Sequence, residues 1–514
     1  MVKTKTLDKD LKRFGRIEKA AAQAGQQNLK FGVSVLFLLL IGALLTIHTV
    51  GVEGGALVVA AGVIGGYMAL NIGANDVANN IGPAVGSEAL TMAGGLVIAA
   101  VFEVSGAILA GGDVVKTISK GIIDPAGIAD AATFTWAMMG ALLAAAVWIN
   151  LATFFGAPVS TTHSIVGGVM GAGIAAAGWA AVNWTTMAKI AASWVISPVL
   201  GGIVAAAFLA AIKYLIVFQD DKIAAAKRWV PVFVAIMAAT FSAYIVMKGL
   251  TRVWQPDTEI VLLIALCALV AAYVLVKPVV ARAAENLENK RKSVGRLFTI
   301  PLICSAALLS FAHGANDVAN AVGPLAAIVS TVYSGEIATK VDIPYWVLVV
   351  GALGISAGLA LFGPKLVRTV GSKITKLDRM RAFTVALAAS ITVIVASALG
   401  LPVSSTHIAV GAIFGVGFFR EWLVNWRQPR ISPALPPGAA EAALENWEPD
   451  AELAQADAEA LGKKLKKKQK KARKRRLVRR EHVTTIVAAW LVTVPLAAAI
   501  SSVFYFTIRG MLLP

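Results

Sequence analysis

Long apolar runs recur along this chain from Phe31 to Leu513, parted by short polar and basic stretches. A run of about 20 apolar residues can cross a bilayer as a helix, which satisfies its own backbone polar groups there. The pattern predicts spans near 31–50, 57–79, 90–111, 134–155, 159–181, 187–217, 230–248, 259–277, 297–322, 345–363, 383–400, 402–420 and 484–508. The run 187–217 contains Pro198, which predicts a kink or a division. The run 159–181 is Gly-rich and follows Pro158, a pattern that suits a broken helix or a re-entrant hairpin. The expected fold class is an all-α integral membrane protein of about 12–13 transmembrane helices.

Composition supports that class: 58% of the residues are hydrophobic and only 15% are charged, against about a quarter charged in a soluble domain. The net charge of +18 does not point to nucleic acid, because the basic residues sit between the apolar runs. Residues 1–30, 218–229, 277–297, 364–382 and 420–483 fall on one side and hold 39 of the 47 Lys and Arg. Basic loops stay cytoplasmic, so the N-terminus is expected inside and the C-terminus outside a plasma or inner membrane. The first run has no small-x-small cleavage site after it and is expected to remain as a span. Cys267 and Cys304 lie inside apolar segments and are expected to pack, not to pair. Within the longest loop, Lys463–Arg480 is almost solidly basic. It either enforces topology or meets anionic lipid heads.

Residues 73–83 read GANDVANNIGP and residues 314–324 read GANDVANAVGP, identical at nine of eleven positions. Downstream of each, residues 158–163 read PVSTTH and residues 402–407 read PVSSTH. The first pair is 241 residues apart (73 to 314) and the second 244 (158 to 402), which indicates duplication of a whole half. In the span count the first motif runs outside to inside and the second inside to outside. The halves are therefore expected to be inverted, as in many secondary transporters, with broken half-helices at a midplane site. The expected division is a cytoplasmic segment 1–30, an extra span 31–50, a first repeat 57–217 and linking spans and loops 218–296. A second repeat 297–420, a cytoplasmic loop 421–483 and a last span 484–508 complete it.

The motifs carry a definite chemistry. At helical spacing Asp76, Asn79 and Asn80 share a face, and Asn75 pairs with Asn79. The second copy supplies Asn316, Asp317 and Asn320, with Ala321 in place of the second Asn. An Asp inside a span costs about 2.5–3.5 kcal/mol to insert, and such acids mark function. Carboxylate and amide oxygens are hard ligands suited to Na+. Gly82, Pro83, Gly323 and Pro324 permit local unwinding and free backbone carbonyls upstream. Ser160, Thr161 and Thr162, and likewise Ser404, Ser405 and Thr406, read as capped helix starts. Two such starts, one per half, make an oxyanion cradle. Glu103 is a further intramembrane acid, a candidate for coupling or for a polar contact. His313 precedes only the second motif, Ile72 standing in the first, so symmetry does not support it. His163 and His407 fit proton carriers and satisfied buried histidines equally well. The motifs hold no Lys or Arg, so an anion joining Asp76 and Asp317 must bring cations or protons. Symport follows.

At these residues the chain closely resembles the inorganic phosphate transporter (PiT) family, over roughly residues 57–508. The resemblance implies import of inorganic phosphate coupled to Na+ or H+, with no cofactor beyond the coupling cation. It implies phosphate between Ser160–Thr162 and Ser404–Thr406. Asn75, Asp76, Asn79, Asn316, Asp317 and Asn320 would bind cations and complete the phosphate site. Glu103 stands in the family's F-E-x-x-G context. The span 31–50 and the basic stretch depart from the minimal pattern. Assembly as a homo-oligomer is compatible with this plan. Two other readings are open: a symporter for sulfate or another oxyanion, and an intramembrane enzyme acting on phosphate compounds. The second needs a denser set of carboxylates or a nucleophile with a base, and no such set is present.

Overall fold

The computed structural model describes residues 3–155, 159–250, 254, 256–337, 343–373, 377–427 and 481–512, and among them no strand forms. In chain order the helices are α1 (Lys3–His48), α2 (Gly55–Asn75), α3 (Ala78–Gly86), α4 (Met92–Ala110), α5 (Gly112–Lys116), α6 (Ala131–Phe155) and α7 (Thr161–Ala177). Then come α8 (Trp184–Ile212), α9 (Lys222–Tyr244), α10 (Thr258–Ala283), α11 (Arg291–Leu297), α12 (Thr299–Asp317) and α13 (Ala319–Ser334). The last are α14 (Tyr345–Lys373), α15 (Arg379–Ala398), α16 (Ser405–Arg427) and α17 (Glu481–Leu512). The basic stretch Lys463–Arg480 lies outside the described residues.

Eleven helical stretches among the described residues are long and apolar enough to cross a membrane. The two apolar runs that drop out are 159–181 and 402–420, which form α7 and α16. The 17 residues of α7 extend about 25 Å, short of the roughly 30 Å hydrocarbon thickness. α16 is longer but carries Arg420 and Glu421 in its second half. Both therefore suit half-helices better than full spans. Of the kink or division expected at Pro198, the division does not occur. α8 runs through Pro198 and continues as a π-helical turn, Lys213–Val217.

The duplication reappears as reciprocal packing. α2 lies along α14, and α12 lies along α4. α17 flanks the α6–α7 pair as α8 flanks the α15–α16 pair. Glycines set the closest approaches. A Cβ on Gly73 would strike the Ile355 carbonyl oxygen, and one on Gly314 the Glu103 carbonyl oxygen. On the facing helices, a Cβ on Gly106 would strike the Phe311 carbonyl, and one on Gly358 the Leu70 carbonyl. Such small-residue seams let helix backbones pack without a hydrophobic driving force between them. They also align the halves residue by residue: Glu103 on α4 corresponds to Ile355 on α14.

Valine at Gly106 or Gly358 must push two backbones apart, a cost above the about 1–3 kcal/mol typical of overpacked cores. Each variant is expected to lower the thermal midpoint in detergent by several degrees. Gly295→Val, where nothing lies within 4 Å of the added carbon, is expected to leave it in place.

Candidate functional site

Each asparagine–aspartate motif falls where one helix stops and the next starts. α2 ends at Asn75 and α3 begins at Ala78; α12 ends at Asp317 and α13 begins at Ala319. At the first break the amides of Asn79 and Asn80 reach back only three residues, to the Asp76 and Val77 carbonyls. Pro83 and Pro324, lacking N–H groups, leave the carbonyls of Asn79 and Asn320 without their usual helical donor. The breaks thus bring the motif side chains together in the buried centre. Asp76, Asn79, Asp317 and Asn320 are all buried.

The two serine/threonine helix starts meet there. Ser160 Oγ accepts the His163 amide at 3.1 Å and caps α7, while Ser404 Oγ accepts the His407 amide at 3.3 Å. The Thr162 hydroxyl donates to the Val403 carbonyl at 3.0 Å, joining one tip to the other. Asp76 holds both tips: Thr161 donates to its Oδ2 at 2.6 Å and Thr406 to its Oδ1 at 3.0 Å. Ser405 donates to Asp317 Oδ2 at 3.0 Å. The amides cross between the halves. Asn79 Nδ2 donates to Thr406 Oγ1 at 2.8 Å, and Asn320 Nδ2 to Thr161 and Thr162 Oγ1 at 3.2 Å each.

Asn75 and Asn316 sit at the edge of this space. Asn75 Nδ2 donates to Thr153 Oγ1 at 3.1 Å, and Asn316 Nδ2 to Ser397 Oγ at 2.9 Å. Asn316 also donates to the Leu401 carbonyl at 3.2 Å and accepts the Val403 amide at 3.3 Å, which fixes the turn before α16. Thr153 and Ser397 were missed from the sequence, yet they are 244 residues apart, the same offset as the two tips. Trp194 was missed as well. It stacks on His163 with centroids 3.8 Å apart, and its Nε1 donates to the Pro402 carbonyl at 3.1 Å.

A third acid enters the site from one half only. Glu103 Oε1 accepts Asn80 Nδ2 at 2.7 Å, and its Oε2 lies 2.7 Å from His313 Nδ1. The other ring nitrogen, Nε2, stands 2.8 Å from Asp317 Oδ2, a close charge contact that lacks hydrogen-bond alignment. The ring sits between two carboxylates, and His313, which symmetry does not support, belongs to the site. The corresponding positions of the other half are Ala321 for Asn80, Ile355 for Glu103 and Ile72 for His313, all apolar and buried. A polar triad on one side of the pseudo-symmetry thus faces a hydrocarbon one on the other.

The donor set fits a cation. Asp76, His313 and Asp317 bring ligand atoms within 4.8 Å of one another. Asp317 Oδ1 and Asn320 Oδ1 are buried acceptors that meet no donor among the described residues. Unsatisfied buried acceptors of this kind call for a partner, and oxygen-rich sets suit hard cations.

The model of the phosphate transporter family matches residues 72–501. The chain belongs to the phosphate transporter family. A Helicobacter pylori protein named "Putative phosphate permease" is 46% identical over 96% of this chain and 98% of its own length. A Pyrococcus abyssi relative of the same designation is 38% identical over 70% of this chain and 88% of its own. A solved structure named "The sodium-dependent phosphate transporter" superposes with a TM-score of 0.74, at 33% identity, over 89% of this chain and all of that one. The H. pylori match takes in nearly the whole of this chain, whereas the archaeal match leaves out almost a third of it.

The triad and its apolar counterpart give a direct test. Glu103→Ala strands the partners Asn80 and His313, at about 1–3 kcal/mol for each buried group left unpaired, and is expected to lower thermal stability. The triple change Asn80→Ala, Glu103→Ile, His313→Ile copies the other half and is expected to restore stability but not phosphate uptake. Uptake at the wild-type rate in the triple variant would assign the triad to structure alone.

Proposed function

We propose that this permease imports inorganic phosphate across the cell membrane by symport with Na+ or H+, and that it catalyses no chemical reaction. The observation that carries the reading is the bonding of the Asp76 carboxylate to one hydroxyl from each helix tip. Those hydroxyls have one proton each to donate. They can serve Asp76 or an anion between the tips, but not both at once. A cation at Asp76 and Asp317 takes over the carboxylate charge and releases Thr161, Thr406 and Ser405 to the phosphate. Free N–H groups at the starts of α7 and α16 add further donors to the anion. In this scheme Thr161, Ser405 and Thr406 contact phosphate through their hydroxyls and Thr162 through its backbone N–H. Ser160, Ser404, Asn75 and Asn316 hold the tips in place.

Charge balance supports coupling. Three buried carboxylates (Asp76, Glu103 and Asp317) face one imidazole, so the site is short of positive charge before any phosphate arrives. Like charges in a dry cavity repel strongly, and incoming cations remove the penalty. The ligands proposed for Na+ are Asp76, Asn79, Asp317 and Asn320 with the two freed carbonyls; Glu103 is the acid placed to tune coupling. The sodium dependence in the name of the similar solved structure favours Na+ over H+. Sulfate lacks a proton to donate to such carboxylates at neutral pH, which favours phosphate as the oxyanion. The reciprocal packing supports two inverted halves, with α17 completing the second as α8 completes the first. The loop charges favour a cytoplasmic N-terminus.

Labelled phosphate uptake into proteoliposomes with imposed gradients tests this directly. An inward Na+ gradient, or a pH gradient acid outside, is expected to drive accumulation above equilibrium. Equal internal and external phosphate under both would remove symport. Asp76→Asn and Asp317→Asn are each expected to cut accumulation at least tenfold in protein that still inserts, measured by uptake alongside surface quantification. Thr161→Val and Thr406→Val are expected to raise the phosphate KM while sparing insertion.

A further inference from the structure

Far along α16 from its tip lies a second concentration of charge, of the opposite sign. Asp378 caps α15, accepting the Arg381 amide at 3.0 Å. Its Oδ2 takes Arg291 Nη2 at 2.6 Å and Arg381 Nη2 at 3.0 Å. Lys213, where α8 passes into its π-helical turn, and Arg420 on α16 complete the group. Lys213 is repelled by Arg291, Arg381 and Arg420 and attracted by Asp378. Arg420 is repelled by Arg291 and Arg381 and attracted by the same carboxylate. Arg291 and Arg381 therefore share one acid, and Lys213 and Arg420 lie within reach of its charge. Burial works to raise the Asp378 carboxyl, but the bonds and charges of Arg381 and Arg291 outweigh it and hold the group below the usual carboxylate range. The Arg381 side chain is only 13% exposed, and its buried Nε–H meets no acceptor among the described residues.

One carboxylate does not balance such a group, and a buried guanidinium N–H without an acceptor is costly. Placement on the basic side accounts for positive charge there in general. It does not account for two guanidinium groups held on one carboxylate with two further cations near enough to feel its charge. We infer that Lys213, Arg291, Arg381 and Arg420 form a binding site for a phosphoryl anion, separate from the transport site. Guanidinium forks match phosphate oxygens in geometry and charge. The group lies at the ends of membrane helices, where a phosphoryl anion comes from an acidic lipid headgroup or from free phosphate in solution. An anion held there would bridge α16 to α8, the helix against which α16 packs.

Thermal unfolding of the purified full-length chain tests the site, with dioleoylphosphatidylglycerol, dioleoylphosphatidylcholine and inorganic phosphate as probes. Thr161→Val with Thr406→Val serves as the background for the phosphate arm, so that the central site lacks two of its phosphate donors. A rise in midpoint with phosphatidylglycerol, but not with phosphatidylcholine, supports a lipid headgroup as the source. A rise with phosphate alone supports free phosphate. In either case Arg420→Gln, or Lys213→Gln should that variant fold poorly, is expected to shift the titration midpoint at least fivefold to higher concentration. Asp378→Asn keeps a capping oxygen and removes the competing charge, so it is expected to shift the midpoint the other way. Unchanged titrations in Arg420→Gln and Lys213→Gln, or no probe raising the wild-type midpoint, overturn the proposal. Uptake driven by cation gradients tests the transport reading independently of these results.

Discussion

A carboxylate buried between two helix starts needs donors on each oxygen, and Asp76 finds one in each half of the molecule. Thr161 comes from the tip of α7 and Thr406 from the tip of α16. The pair of bonds fixes the distance between the tips and closes the space around Asp317, Asn79 and Asn320. Everything else in the centre is arranged to make that meeting possible. The helix breaks bring the acids to the gap, the caps at Ser160 and Ser404 start the half-helices, and the glycine seams let α2 and α12 approach their partners at backbone distance. The same bonds limit the site. In the proposed scheme, hydroxyls committed to Asp76 are withheld from an anion until a cation neutralises the carboxylate, which would make occupancy by cation and anion mutually dependent.

Pseudo-symmetry makes the exceptions informative. Asp76 and Asp317 hold equivalent positions but unequal company. Asp76 is held by hydroxyls from both halves, whereas Asp317 has a hydroxyl from its own half and the imidazole of His313. Behind His313 stands Glu103, and behind the equivalent Ile72 stands Ile355. A buried acid costs too much to be retained without a partner. The triad exists because Asn80, His313 and Glu103 satisfy one another, and its mirror image survives because all three positions are apolar. Each set is self-consistent, and a mixture of the two is not.

Much of this was legible in the residues. The paired motifs, their offsets and the absence of Lys and Arg located the acids and the helix tips and implied a transporter. The apolar runs gave the helices, with two of the thirteen too short or too polar to span. The role of His313 was hidden because symmetry was taken as the criterion, and an asymmetric residue fails that criterion by construction. Glu103 lacked a visible counterpart for a related reason. The offset between α4 and α14 is 252 residues (103 to 355), unlike the 241 and 244 of the motifs, and the equivalent residue is an isoleucine. The contact of Gly314 with Glu103, set against that of Gly73 with Ile355, places the two in register, and the contacts of Gly106 and Gly358 agree. Ser160 and Ser404 read as anion ligands, and in the structure their oxygens accept as caps. Spacing does not distinguish a serine that starts a helix from one that faces a ligand.

The two ends of α16 now bear on each other. Its start shares Asp76 with α7, and its far part carries Arg420 into a group with three other cations around Asp378. The position of the buried α16 tip depends on what holds the rest of the helix. Against α8 that hold is a seam of glycines: a Cβ on Gly411 would strike the Pro198 carbonyl, and one on Gly415 the Gly202 carbonyl. Such a seam resists separation but offers few interdigitating side chains to resist sliding. Charges at the end of the helix add a directional restraint that the seam lacks.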